Sequence, residues 1–196
     1  MSVRLLAVVL SLLCVAACDG GPPKAAFHGT DITGADYAKG FSLTDPGGKR
    51  RSLADFTGRA VAVFFGYTQC PDVCPTTLSQ MAAVMELLGE DAERLQVIFI
   101  TVDPERDTPE LLAAYMPLFD ARFIGLYGSA EETERVTKDF RVFHRKSGDV
   151  SGSRYTVDHS AGLYLFDPAG RLRLYFKHGA EPARIAADVR RLLTGS

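Results

Sequence analysis

Two cysteines, Cys70 and Cys74, lie in the stretch "YTQCPDVCPTTLSQM", with three residues between them and a proline after each. A thiolate is the nucleophile of thiol–disulfide exchange and also a metal ligand. In helical geometry, residues four apart place their Cα atoms roughly 6.2 Å from one another. A disulfide needs about 4.4 to 6.8 Å. The pair can therefore close a bond, and it can equally converge on one ion. A bond kept only for stability explains little, because it would close a very small loop and hardly restrict the unfolded chain. Redox chemistry and metal binding both stay open at this point.

A metal site needs further ligands. The chain has four histidines, His28, His144, His159 and His178. His28 lies in a Gly- and Pro-rich stretch. His144, in "FRVFHRKSG", and His178, in "YFKHG", read as surface positions. His159 stands in "YTVDHSAGLYLF", just ahead of a strongly apolar run. Two thiolates and one imidazole form a soft donor set that suits Cu(I), or Cu(II) with an added oxygen ligand. Zinc accepts the same set with a fourth ligand. Iron–sulfur clusters usually want four cysteines. Asp158, next to His159, either supports the site, by orienting the ring or ligating weakly, or caps a turn.

The elements that must position these groups can be read from pattern. "GFSLTDPGGKRRSL" reads as a hairpin turning at Asp45–Gly48. "RAVAVFFGYT" and "LQVIFITVD" are continuous apolar runs, as expected of strands buried on both faces. Pro75 to about Leu88 reads as a helix, with Leu78, Met81, Ala82, Met85 and Leu88 on one stripe. Thr108 caps a helix that runs to about Phe119, with Pro109 at its first position. "FIGLYG" is a short strand. Ser129 and Glu132 form a capping box for a helix reaching about Val142. A second hairpin turns at Asp167–Gly170, and an amphipathic helix over Glu181–Leu193 closes the chain.

Buried strands alternating with helices imply an α/β sheet. The order is that of a thioredoxin-like fold: a central mixed sheet flanked by helices, plus an N-terminal β-hairpin. Such a fold places a cysteine pair between the first central strand and its helix. If Cys74 sits near the cap of that helix, the helix dipole favours its thiolate. The loop entering the late apolar strand faces the cysteine loop, where thioredoxins hold a cis-proline. This chain offers Val157-Asp158-His159-Ser160 instead, which aims an imidazole at the two sulfurs.

Charge and composition narrow the function. The net charge is -2 and no basic stripe is present, which argues against a nucleic-acid partner. The apolar run Leu5–Ala17 is short for a membrane span of about 20 residues and fits a secretory leader. It ends in "VAAC", which resembles a bacterial lipobox with Cys18 as the lipidated residue. Cys14 fits that role less well, because Leu13 precedes it where a small residue is expected. Residues 1–18 then form a lipoprotein signal peptide, 19–36 a flexible tether and 37–196 the thioredoxin-like domain that carries the cysteine pair and His159. Asp19 after Cys18 suggests retention at the inner membrane, on its periplasmic face. In that oxidising compartment, Cys70 and Cys74 would be the thiols left.

Three motifs, "GYTQCPDVCPTTLSQM", "FITVDPERDTPELLAAY" and "YTVDHSAGLYLFDPAGR", together resemble the Sco/SenC family of copper proteins. The likeness covers nearly all of Phe41 to Leu193. It implies that Cys70, Cys74 and His159 are copper ligands, with copper carried as Cu(I), Cu(II) or both, and that the same cysteine pair can form a redox disulfide. It further implies assembly of the dinuclear copper site of cytochrome c oxidase subunit II, or of another exported copper enzyme. That role is either delivery of copper obtained from a donor chaperone or reduction of the target's cysteines. The segment Asp103–Pro109 matches the family signature, but residue chemistry gives it only a loop and a helix cap. Many members use a transmembrane helix where this chain offers Cys18.

Overall fold

The two continuous apolar runs become the centre of a sheet. The computed structural model describes residues 26–150, 152 and 154–195. The expected leader, with Cys14 and Cys18, lies outside the described residues.

Strand β1 (Thr30–Asp31) precedes a hairpin of β2 (Ser42–Thr44) and β3 (Arg50–Ser52). Strand β4 (Ala60–Gly66) leads into helix α1 (Val73–Leu88), and β5 (Leu95–Thr101) into α2 (Pro109–Tyr115). Strand β6 (Ile124–Leu126) leads into α3 (Ala130–Asp139). A small ribbon follows, of β7 (His144–Ser147) and β8 (Thr156–His159). Hairpin β9 (Gly162–Phe166) and β10 (Leu172–Lys177) precedes the closing helix α4 (Pro182–Leu193).

The main sheet has the order β1-β10-β9-β4-β5-β6. Strands β4, β5 and β6 are parallel, whereas β9 runs antiparallel to β4 and to β10. The expected mixed sheet, flanking helices and N-terminal hairpin are all present. Every residue of β4 and β5 is buried, because both faces of the sheet are covered. Side chains alternate between those faces. Ala60, Ala62 and Phe64 pack with Leu78 and Met81 of α1 and Val189 of α4. Val61, Val63 and Phe65 pack with Val136 of α3, Phe140 and Leu43 of the first hairpin.

Several boundaries differ from the pattern reading. Helix α1 begins at Val73, two residues ahead of the proline expected to open it. Pro75 is tolerated inside the first turn because N–H groups there have no acceptor within the helix. Helix α3 carries the expected capping box: the Glu132 N–H donates to Ser129 Oγ at 3.1 Å, and the Ser129 N–H to Glu132 Oε2 at 2.9 Å. It stops at Asp139 rather than Val142, since Arg141 takes a left-handed φ of 56° that ends the helical path. The ribbon β7–β8 is an additional element. Part of the stretch expected as tether is also built into the fold. Thr30–Asp31 pair with β10, and the N–H groups of His28 and Gly29 both donate to the buried Asp188 carboxylate at 2.8 Å. Among the described residues, no helix is long and apolar enough to cross a membrane.

Candidate metal centre

Strand β4 delivers the cysteine loop through a glycine. A Cβ on Gly66 would lie 2.6 Å from Cys74 Sγ and 2.8 Å from a Phe99 ring carbon, so only glycine fits beneath the sulfur. The chain then turns, with the Cys70 N–H donating to the Tyr67 carbonyl at 3.2 Å. Helix α1 follows with Asp72 as its cap residue, which puts Cys74 within the first turn. The Cys74 N–H points at Cys70 Sγ, 3.4 Å away. A free N–H of the helix start thus serves the sulfur of Cys70.

This arrangement corrects the expectation that the helix end lowers the pKa of Cys74. Cys74 is 1% exposed, and burial pushes its thiol well above the ordinary range. It is a thiol in this fold, and its proton must leave before a metal binds. Cys70 is only partly buried, and both cysteines are free.

The ribbon supplies the imidazole. His159 Nε2 lies 3.4 Å from Cys74 Sγ, and Nδ1 lies 3.1 Å from the Ser160 carbonyl. A carbonyl only accepts, so Nδ1 carries the proton and Nε2 presents its lone pair to the sulfurs. Burial lowers the pKa of His159, so the ring is neutral, as a ligand must be. The Tyr67 ring meets the imidazole edge-on, with centroids 5.9 Å apart. The donor atoms of Cys70, Cys74 and His159 all lie within 4.8 Å of one another. Two sulfurs on opposite sides of one ion stand about 4.6 Å apart at metal–sulfur bonds of about 2.3 Å. The three donors therefore fit a single metal ion with small movements. Among the described residues this is the only such group of three or more ligating side chains.

The SCO1/SenC family model matches residues 29–194. The chain belongs to the SCO1/SenC family. It is 40% identical over 152 residues to the mitochondrial SCO2 homolog of Danio rerio, covering 76% of this chain and 54% of that protein. It is 37% identical over 146 residues to an SCO2-like protein of Rickettsia felis, covering 74% and 71% of the two chains. A structure of Bradyrhizobium japonicum ScoI with copper bound superposes with a TM-score of 0.71 and 41% identity, covering 78% of this chain and 97% of that one. The match spans little more than half the length of the Danio protein. The thioredoxin-like fold read from the element order is the one these family members share.

In this SCO1/SenC chain, the signature Asp103–Pro109 acts as the frame of the cluster, a role that sequence reasoning missed. Asp107 is 1% exposed, and burial raises its pKa. Its carboxylate accepts from the Thr68 N–H at 3.1 Å and from the hydroxyls of Thr68 and Thr101 at 2.6 Å each. It thereby ties the cysteine loop to the end of β5. Asp103, also 1% exposed, accepts from Arg106 Nε and from the Tyr155 hydroxyl, the latter at 2.8 Å. Arg106 Nη1 donates to Gln69 Oε1 at 3.2 Å and to the Tyr155 carbonyl at 2.8 Å. Its guanidinium lies 3.6 Å from the centre of the Tyr155 ring and 5.6 Å from that of Tyr67. One arginine thus links the residue before Cys70 to the ribbon that carries His159. The available signal was a run of charges directly after a buried strand, since charged groups there are rarely buried without partners.

Asp158 sits on the outer face of the ribbon, half exposed, with a carboxylate oxygen 3.6 Å from Arg145 Nη2. Its strand neighbour His159 points the opposite way, as the two-residue period requires. The ring is oriented by Ser160 instead. His144, read as a surface residue, stands directly opposite His159 in the β7–β8 register. His28 and His178 are exposed and outside the cluster, and His178 Nδ1 lies 3.3 Å from Thr77 Oγ1.

Proposed function

We propose that this chain is a copper-binding protein that carries copper on Cys70, Cys74 and His159 and serves assembly of the dinuclear copper site of cytochrome c oxidase subunit II. The observation that carries this reading is the convergence of two sulfurs and one imidazole nitrogen within 4.8 Å. Such a soft donor set favours Cu(I). Copper is cargo here, taken from a donor chaperone and passed on. Cys70 is the accessible sulfur and Cys74 the enclosed one, so ligands can exchange one at a time and the ion need never be free. We further propose that the domain acts on the periplasmic side of the bacterial inner membrane, held by a lipid on Cys18. Mass analysis of the mature N-terminus tests that anchor, and an unmodified Cys18 overturns it.

The metal-binding test uses the purified, reduced protein with copper and zinc compared directly. His159→Ala is expected to weaken copper binding at least 100-fold. Unchanged affinity for Cu(I) and Cu(II) would overturn the three-ligand reading.

A second reading rests on the two free thiols. As a thiol–disulfide reductase, Cys70 would attack a partner disulfide and Cys74 would resolve the mixed disulfide. The partner gains two thiols as this chain gains one disulfide. His159→Ala separates the two readings, because reductase activity should survive it while copper binding falls.

A further inference from the structure

The β7–β8 ladder changes its pattern beside His159. His144 stands opposite His159 in the register, so the next pair outward is Phe143 with Ser160. Paired residues of that kind exchange two backbone hydrogen bonds in a regular antiparallel ladder. The first bond is present: the Ser160 N–H donates to the Phe143 carbonyl at 2.9 Å. The return bond goes to a side chain. The Phe143 N–H donates to Ser160 Oγ at 3.0 Å. The Ser160 carbonyl, the ordinary acceptor for that N–H, lies instead 3.1 Å from His159 Nδ1.

The two roles of that carbonyl conflict in direction. Ladder bonds run in the plane of the ribbon, whereas side chains stand out of it. A carbonyl turned toward the His159 ring is therefore turned away from the opposite strand. The serine hydroxyl takes its place in the ladder. Ser160 thus offers two acceptors from one residue, Oγ for the Phe143 N–H and the carbonyl for the imidazole. An alanine has the carbonyl alone, and Phe143 and His159 would then compete for it. The outcome matters at the far side of the ring. With the proton held on Nδ1, Nε2 keeps its lone pair, 3.4 Å from Cys74 Sγ.

We propose that the Ser160 hydroxyl is a positioning group for the metal centre: by standing in for the Ser160 carbonyl in the ladder, it frees that carbonyl to hold His159 with its proton on Nδ1. It acts through His159 and touches neither sulfur. Asp158, the acidic neighbour, is engaged with Arg145 on the outer face and leaves the ring to Ser160. Removing a partner that orients a ligating histidine typically weakens metal binding about 10–100-fold. The effect on copper rests on the three-ligand reading above, whereas the effect on the ring does not.

The first measurement is nitrogen NMR of the His159 ring in the reduced, metal-free full chain, assigned by its loss in His159→Ala. It is made at about pH 8, where the imidazole is neutral. Wild type should show a single tautomer with the proton on Nδ1. Ser160→Ala should show a mixture or a proton moved to Nε2, and Ser160→Thr, which keeps a hydroxyl, should return the wild-type pattern. Competition with a Cu(I) chelator should give about tenfold weaker binding for Ser160→Ala and near wild-type binding for Ser160→Thr. Mixed tautomers in the wild type overturn the proposal, and that result needs no variant to fold. An unchanged tautomer in Ser160→Ala overturns it too, as when water serves the Phe143 N–H equally well. So does a Ser160→Thr variant that behaves like Ser160→Ala, or a moved tautomer with unchanged Cu(I) affinity. A wild type that holds no copper counts against the cluster reading, and the ring measurement still decides the role of Ser160.

Discussion

Gly66 and Cys74 meet so closely that the sulfur occupies the space a side chain at position 66 would fill, 2.6 Å from the ideal Cβ. Backbone from the central strand forms the floor of the cluster. Gly66→Ala should either push Cys74 out of place or strain Phe99 behind it. Overpacking of this kind costs about 1–3 kcal/mol. Urea unfolding should show that loss, and Cu(I) competition should show weaker binding. A variant with wild-type values of both would contradict the described floor.

Asp107 holds the loop from below. Asp107→Ala strips the acceptor from the Thr68 N–H and from two hydroxyls. A stability loss of about 2 kcal/mol is expected from unsatisfied buried donors. Hydrogen exchange at Thr68 should rise more than exchange in β5, which would locate the damage in the cysteine loop.

Arg106 and Asp103 form a buried pair, with side chains 9% and 0% exposed. Removing one partner strands the other, at a cost of about 3–5 kcal/mol. Asp103→Ala should therefore destabilise the domain more than any exposed ion-pair variant, such as Arg145→Ala. Equal denaturation midpoints for the two would refute the ranking.

The enclosed thiol predicts a pH dependence. Burial raises the pKa of Cys74 in the folded state. Its contribution to stability is thus fully present below the unfolded thiol pKa of about 8.5 and is lost as pH rises beyond that value. Reduced, metal-free protein should lose stability between about pH 8 and pH 10. Cys74→Ser, which has no such proton to lose, should show a shallower decline. Parallel curves would remove the assignment.

Asp188→Ala should free the segment at His28–Gly29 without touching the cluster. Proteolysis around residues 27–31 should speed up at least about 100-fold while Cu(I) affinity stays within about twofold, given two such charged hydrogen bonds of about 1.5–3 kcal/mol each and about 1.4 kcal/mol per factor of ten. An unchanged cleavage rate would show that the carboxylate does not hold the segment.

The sheet was legible in the sequence because β4 and β5 are unbroken apolar runs, and the cysteines because their spacing and place before a helix have few uses. His159 was legible only through position and family likeness. No local pattern announces β7 and β8, whose inward side chains include His144, Lys146 and His159. That ribbon depends on distant partners, above all Arg106 under Tyr155. Strand β1 is two residues long and has no apolar period to read. The burial that reverses the expected pKa of Cys74 was hidden too, because depth inside a first helical turn depends on how the helix packs against β4 and β9.

The clasp of Asp188 on His28 and Gly29 also decides where mechanical load enters the molecule. A pull on the chain ahead of Phe27 is taken by the Arg191 bond to the Ala26 carbonyl, by two hydrogen bonds to the Asp188 carboxylate and by a two-residue strand at the sheet edge. Strands β10 and β9 stand between that edge and β4. Drag on the N-terminal end thus frays the border and leaves the turn from Cys70 to Cys74 at rest. The fold has strain relief built in at its N-terminal edge.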